Sequence, residues 1–211
     1  MAIEAARRDP LMRNSLFLMA TTVATAGFGF AFWILNARVY SPGDIGVAST
    51  VLSGVALLSY LSLLGLNNLV MRTAGRPDAG SLLSAAALLV AGISAALGLT
   101  YLAVAPQLAP DVQRALDGPV AVLAFVVLAV ASTVNVLTDH AFISRRAAHY
   151  NLLVDAFLQG STKLALSALL VGWGSLGLIV SSGVAVTVSA LASLLLLSRR
   201  LGLALTLRPD W

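Results

Sequence analysis

Six long apolar segments constrain the fold of this chain more than any other feature. A helix needs about 20 predominantly apolar residues to cross the hydrocarbon core of a bilayer, and helices satisfy their own backbone polar groups there. The segments occupy residues 15–37, 45–71, 82–104, 119–142, 151–171 and 176–197. The sequence therefore predicts an all-α polytopic membrane protein, a bundle of six transmembrane helices spanning residues 15–198. A polar lead (1–14) and a short tail (199–211) complete the predicted domain organisation.

Composition agrees with this fold class and excludes several functions. Hydrophobic residues make up 59% of the 211 residues and charged residues only 10%, whereas soluble domains contain about 25% charged residues. The chain has no cysteine, which excludes disulfides, thiol catalysis and cysteine-ligated metals. Phosphate-binding loops, zinc-ligand spacings and nucleophile elbows are absent from the sequence. We therefore expect neither an enzyme nor a bound cofactor or metal ion.

The basic residues predict the orientation of the helices. If the N-terminus is cytoplasmic, 10 of the 13 basic residues lie on the cytoplasmic side, two lie on the other side, and Lys163 lies inside a span. The ten are Arg7, Arg8, Arg13, Arg72, Arg76, Arg145, Arg146, Arg199, Arg200 and Arg208, and the two are Arg38 and Arg114. This asymmetry follows the positive-inside rule. It predicts a multi-pass inner (plasma) membrane protein with both termini cytoplasmic, and it explains the basic pI without a nucleic-acid partner.

The connection between the first two spans reads as a tight turn into a helix. Ser41 is suited to the N-cap, Pro42 to the first helical position and Asp44 to the third, as in a capping box. Arg38 at the end of the first helix complements the negative end of its dipole. We interpret these residues as structural.

Polar residues inside the fourth and fifth spans are the candidates for function. Asp155, Gln159 and Lys163 are spaced four apart and are predicted to share one helix face, while Asn135 and Asp139 lie one turn apart on the preceding span. A charge facing lipid at the centre of a bilayer costs about 2.5 kcal/mol or more. We therefore expect these five residues to line a cavity in which Lys163 meets an anionic substrate.

Two further roles of these groups stay open. Lys163 could instead pair with a neighbouring helix only to hold the bundle together. Asp139 and the adjacent His140 are expected near the cytoplasmic mouth of the cavity, or in an interfacial ion cluster with the following arginines.

The segments Asn36-Ala-Arg-Val-Tyr-Ser-Pro-Gly-Asp-Ile-Gly46 and Leu64-Gly-Leu through Arg72 resemble the opening of the polysaccharide-biosynthesis flippases. These belong to the multidrug/oligosaccharidyl-lipid/polysaccharide exporter superfamily. Asp44 and Gly46 match the pattern of that family, whereas Gly43 replaces a usual acidic residue. The resemblance implies a V-shaped transporter with two helical lobes around a basic cavity. Its cargo would be a polyprenyl-diphosphate-linked oligosaccharide, and its surroundings the membrane lipids.

Such transporters generally have twelve to fourteen helices, so six helices correspond to one lobe, the N-terminal half. The resemblance therefore implies a second lobe, either another copy of the chain or a split partner. Two other functions stay open: a drug or cation antiporter of the same superfamily, with Asp155 as the ion site, and a non-transporting membrane scaffold subunit.

Overall fold

The computed structural model describes residues 10–108 and 116–203, and all the regular structure in those two ranges is helical. The helices are α1 (Pro10–Val39), α2 (Pro42–Ser62), α3 (Leu66–Thr73), α4 (Ala79–Leu108), α5 (Pro119–Ser144), α6 (His149–Leu169) and α7 (Ser175–Arg199). A short 3₁₀ turn, Val171–Trp173, precedes α7. Every helix except α3 is long and apolar enough to cross a membrane. The predicted all-α, six-span, multi-pass membrane fold is confirmed.

Some sequence predictions fall at the edges of the described ranges. Most of the predicted lead and tail, together with Arg7, Arg8, Arg114 and Arg208, lies outside the described residues. The lead was predicted to run to residue 14, but α1 already begins at Pro10.

The second predicted span, residues 45–71, is not one helix. α2 ends at Ser62, because Leu64 (φ 44°) and Gly65 (φ 82°) take left-handed backbone conformations that interrupt the helical hydrogen bonds. Glycine adopts this conformation without steric cost, whereas leucine does not. The chain then resumes as the short helix α3, which buries Val70 and exposes Asn68. The predicted span was too long because its apolar character continues through the break.

Helices α5 and α7 form the centre of the bundle. In the most apolar stretch of α7, 56% of the residues are buried against other helices, compared with 6% in α1. Ser181, Ala185, Ser189 and Ser193 lie in a line on α7 and are fully buried. Small residues allow helix backbones to approach closely, so this line is a close-packing face, as the sequence predicts.

Helix α1 packs mainly along α6, and the two run in the same direction. Asn14 Oδ1 accepts a hydrogen bond from the Ala148 N–H at 3.1 Å near one end. Towards the other end, the Tyr40 hydroxyl donates to the Ser167 carbonyl at 2.6 Å. A parallel pair is what alternating spans require of the first and fifth crossings.

The described arginines divide unequally between the two ends of the bundle. The end of α2, the start of α4 and the end of α5 meet at one end of the bundle. Leu63, Ala79 and Phe142 share a buried cluster there. We call this the arginine-rich end, and it carries Arg13, Arg72, Arg76, Arg145, Arg146, Arg199 and Arg200. Among the described arginines, only Arg38 lies at the opposite end. Successive spans in this part of the chain therefore alternate in direction, as the predicted division of the basic residues between two sides requires.

Candidate functional site

Helix α6 changes its winding where its polar residues begin. It is α-helical over His149–Asn151, π-helical over Leu152–Gln159 and α-helical again over Gly160–Leu169. A π-helix closes its hydrogen bonds one residue later than an α-helix and occurs frequently at functional sites. Asp155 and Gln159 both lie in the π-helical segment, so their positions around the axis differ from those of an ordinary helix.

A hydrogen-bonded group of three side chains joins α5, α6 and α7. Asn135 Nδ2 donates to Asp155 Oδ1 at 2.9 Å. The Ser189 hydroxyl donates to Asn135 Oδ1 at 2.9 Å and lies 3.2 Å from Asp155 Oδ1. The Asp139 carboxyl group is buried near that of Asp155 and interacts with it electrostatically. We call Asn135, Asp139, Asp155 and Ser189 the polar cluster.

The two carboxyl groups of the polar cluster are buried near each other. Two carboxylates at such a site repel each other, and a proton on one of them removes that repulsion. Asp139 Oδ1 is buried and has no hydrogen-bond partner among the described residues. Asn151 is buried beside it, with Nδ2 at 3.4 Å from the Asp139 carbonyl and Oδ1 unpartnered in the same described set. Two acceptor oxygens without a described partner, one on Asp139 and one on the adjacent Asn151, therefore lie beside the carboxyl pair.

Lys163 lies apart from the polar cluster. Its ammonium group is 4.0 Å from the centre of the Phe32 ring on α1, within range of a cation–π interaction. The ion pair found in the described residues is Arg76–Asp78, so Lys163 has no carboxylate partner there. Its side chain is partly exposed. Lys163 therefore pairs with the neighbouring helix α1 through an aromatic ring, and not through an ion pair within the described residues.

Asp155, Gln159 and Lys163 do not come together at one site. The Asp155 carboxyl group is hydrogen-bonded to side chains of α5 and α7, whereas the Lys163 ammonium group lies over a ring of α1. Gln159 Oε1 is buried without a hydrogen-bond partner in the described structure. No hydrogen bond through this oxygen therefore links Asp155 to Lys163.

Asp139 and His140 also diverge. His140 Nδ1 lies 2.8 Å from the Val136 carbonyl and Nε2 lies 3.3 Å from Asn67 Nδ2 on α3. This geometry fits a neutral imidazole that donates from Nδ1 and accepts at Nε2. Asp139 belongs to the polar cluster and His140 to the contact with α3, so the expected shared mouth is not formed by this pair.

The turn between α1 and α2, which carries the family resemblance, bonds to the start of another helix. The Asp44 N–H donates to Ser41 Oγ at 3.1 Å, which confirms the predicted N-cap of α2. Asp44 Oδ1 also accepts the Ser175 N–H at 2.8 Å, which caps α7. Burial, and secondarily the charge of Asp44, raises the pKa of Tyr40 in the same turn. These residues hold helices together and do not face the polar cluster.

Sequence reasoning identified Asn135, Asp139 and Asp155 but missed Ser189. Serine recurs along α7 and predicts packing equally well at each position, so only the contact across three helices distinguishes Ser189. No three His, Asp or Glu side chains come together as metal ligands within residues 10–108 and 116–203. In comparisons with known protein families, curated proteins and solved structures, nothing matches this chain.

Proposed function

We propose that the chain is one lobe of a two-lobe membrane transporter that moves a polyprenyl-diphosphate-linked oligosaccharide across the bilayer. The observation that supports this most directly is the position of Lys163. It is a partly exposed cation inside a membrane-spanning helix, and no described carboxylate neutralises it. A diphosphate is the kind of group that such a cation would attract. Charged residues within spanning segments are rare and mark substrate or ion pathways.

The exposure of α1 supports the need for a second lobe. α1 contributes Phe32 to the surroundings of Lys163, yet only 6% of the most apolar stretch of α1 is buried. Transporters of this kind move cargo by rocking one bundle against another around a shared site. A second copy of the chain, or a split partner, would cover α1 and close the space around Lys163.

The arginine-rich end supports a cytoplasmic location for both ends of the chain. Seven described arginines lie there against one at the opposite end, which is the bias that orients helices during insertion. We place the protein in the plasma membrane with this end facing the cytoplasm.

Replacement of Lys163 tests the transport role. Vesicles containing the full chain, with its partner lobe if that is a separate chain, would be assayed for flipping of a fluorescent polyprenyl-diphosphate glycan. We expect Lys163→Met to abolish flipping and Lys163→Arg to retain part of it. Phe32→Leu is the matched control, because it removes the cation–π contact and leaves the charge. Flipping by a folded Lys163→Met protein at the wild-type rate would overturn the proposal.

The carboxyl pair favours a second candidate, a cation-coupled antiporter. Asp139 and Asp155 can exchange a shared proton for a monovalent cation, with Asn135 and Ser189 supplying further oxygens. Such chemistry would couple transport to an ion gradient and would not need Lys163.

The two candidates predict opposite results for Lys163→Met and for dissipation of the ion gradients. An antiporter would depend on a proton or sodium gradient and lose that dependence in Asp155→Asn, while Lys163→Met remained active. A flippase would lose activity in Lys163→Met, and would keep it when the gradients were dissipated. Efflux driven by a gradient in the Lys163→Met protein would therefore select the antiporter.

A further inference from the structure

A groove lies between α1 and α6 near the arginine-rich end. It has a volume of about 360 Å³ and is lined by Arg13, Leu16, Phe17, Ala20 and Leu152. Four of its five lining side chains are apolar, and Arg13 is the charged member. Because Arg13 lies in the first turns of α1 and Ala20 lies two turns further along, the groove leads from a charged rim into an apolar interior.

The rim of the groove belongs to a basic corner. Asn14, next to Arg13, accepts the Ala148 N–H at 3.1 Å, and this contact brings the Arg145–Arg146 turn towards the start of α1. Arg13 and Arg146 are exposed, and Arg13, Arg145 and Arg146 form no ion pair with any described carboxylate. The N-terminal end of α6, which carries partial positive charge, begins in the same corner at His149.

The backbone of Arg146 shows that this cation occupies an unfavourable position. Arg146 has φ 54° and ends α5 in the left-handed conformation, where glycine is the usual residue. The Arg146 side chain is nevertheless exposed. A positive charge is therefore held at this corner although an uncharged glycine would fit the backbone better.

We propose that the groove binds an anionic phospholipid. One acyl chain lies in the groove between the parallel helices α1 and α6, and the phosphate lies against Arg13 and Arg146. The direction of the groove matches that of an acyl chain, since both helices cross the bilayer. Basic pockets between transmembrane helices bind anionic headgroups in this way. The site does not depend on the proposed transport function, and none of its lining residues belongs to the polar cluster.

Charge complementarity selects the phospholipid over other occupants. A helix from another protein would need apolar contact along the whole groove but gains nothing from unpaired arginines at its rim. A zwitterionic lipid fills the groove equally well but carries a cationic group that the corner would repel. An anionic phospholipid satisfies both the apolar floor and the basic rim.

Native mass spectrometry of the purified full chain tests the site. The protein would be titrated with an equimolar mixture of palmitoyl-oleoyl phosphatidylglycerol and phosphatidylcholine. We expect the wild type to prefer phosphatidylglycerol. Arg13→Gln/Arg146→Gln should weaken binding of phosphatidylglycerol about fivefold for each arginine removed. The matched control, Arg72→Gln/Arg200→Gln, removes two exposed arginines of the same end away from the groove and should leave binding unchanged.

Two further variants separate the headgroup from the acyl chain. Arg13→Lys/Arg146→Lys keeps both charges and should retain the preference, which also covers the case in which the glutamine variant does not fold. Ala20→Phe fills the groove and should weaken binding of both lipids while the headgroup preference persists. Equal loss of binding in the Arg72/Arg200 control would reduce the effect to general surface charge and overturn the proposal. Displacement of phosphatidylglycerol by an equimolar polyprenyl phosphate would assign the groove to an isoprenoid instead.

Discussion

Asp44 connects the starts of two helices that are far apart in sequence. Its Oδ1 accepts the Ser175 N–H at 2.8 Å at the start of α7, and its Oδ2 accepts the Ser41 hydroxyl at 2.6 Å at the start of α2. At α7 the carboxylate thus satisfies a backbone N–H that lacks a helical partner, whereas at α2 it holds the N-cap residue Ser41, whose Oγ accepts the Asp44 N–H. At both helix starts the negative charge complements the helix dipole. The turn between α1 and α2 is thereby fixed to the turn between α6 and α7.

Removal of the Asp44 carboxylate should destabilise the bundle. Loss of a capping side chain typically costs about 1–2 kcal/mol, and Asp44→Ala removes contacts to two helix ends. Thermal unfolding in detergent should show a clear fall in Tm for Asp44→Ala and a smaller fall for Asp44→Asn, which keeps one acceptor oxygen. Asp78→Ala is the control, because Asp78 makes an exposed pair with Arg76, and its Tm should stay close to that of the wild type. Equal Tm values for the Asp44→Ala and Asp78→Ala variants would contradict a role for Asp44 at the joint.

Gly160 sets how closely α1 approaches α6. A methyl group at this position would lie 2.8 Å from Phe28 Cδ1 and would also overlap Cγ of the same ring. We expect Gly160→Ala to lower the Tm, because overpacking typically costs about 1–3 kcal/mol. Phe28→Ala should relieve the clash, so the double variant should lose less stability than the sum of the two single variants.

Gly29 on α1 offers the matched control for this clash. A methyl group there would meet no atom within 4 Å, and alanine is the better helix former. Gly29→Ala should therefore leave the Tm unchanged or slightly raised. A fall in Tm as large as that of Gly160→Ala would show that small residues on α1 and α6 matter for another reason.

The features that sequence predicted best are local. The six spans follow from segment length and hydropathy, and the cap at Ser41 follows from the residue types at three nearby positions, 41, 42 and 44. Each of these depends on a few neighbouring residues and on the bilayer, so no knowledge of the packing is needed. The prediction of one continuous span over residues 45–71 failed at Leu64. A pattern of apolar residues does not show which leucine has a positive φ.

The polar cluster shows what sequence spacing cannot supply. Asn135 and Asp139 were placed together correctly because both lie on one ordinary helix. The spacing of Asp155 and Lys163 predicts one helix face, but it does not reveal that Asp155 bonds to α5 and α7 while Lys163 contacts α1. Ser189 joins the cluster through contacts with α5 and α6, and those contacts exist only once the helices are packed.

Ser189 and Ser193 provide a pair of variants that tests the polar cluster. Both side chains are fully buried on α7, but the Ser189 hydroxyl is hydrogen-bonded, while the Ser193 hydroxyl has no partner in the described structure. Hydrogen bonds between transmembrane helices average about 0.6 kcal/mol and reach about 1.7 kcal/mol. Ser189→Ala should lower the free energy of unfolding within that range, and Ser193→Ala should leave it unchanged or raise it. The comparison uses detergent unfolding of both purified variants, and a larger loss for Ser193→Ala would place the important hydroxyl elsewhere.

Arg145 and Arg146 should respond in opposite directions to the same substitution. The Arg146 N–H donates to the Ile143 carbonyl at 3.0 Å and the Ala147 N–H to the Phe142 carbonyl at 2.9 Å, so α5 ends in a Schellman motif with Arg146 in its left-handed position.

The left-handed conformation costs a residue with a Cβ about 1–2 kcal/mol. We therefore expect Arg146→Gly to raise the free energy of unfolding by about 1 kcal/mol. Arg145 has an ordinary backbone (φ −89°), and Arg145→Gly should lower the free energy of unfolding by about 0.5–1 kcal/mol because glycine gains freedom in the unfolded chain. Both variants lose one positive charge, so charge alone predicts equal changes in the free energy of unfolding. Unfolding midpoints that move in the same direction would show that the left-handed backbone of Arg146 carries no strain.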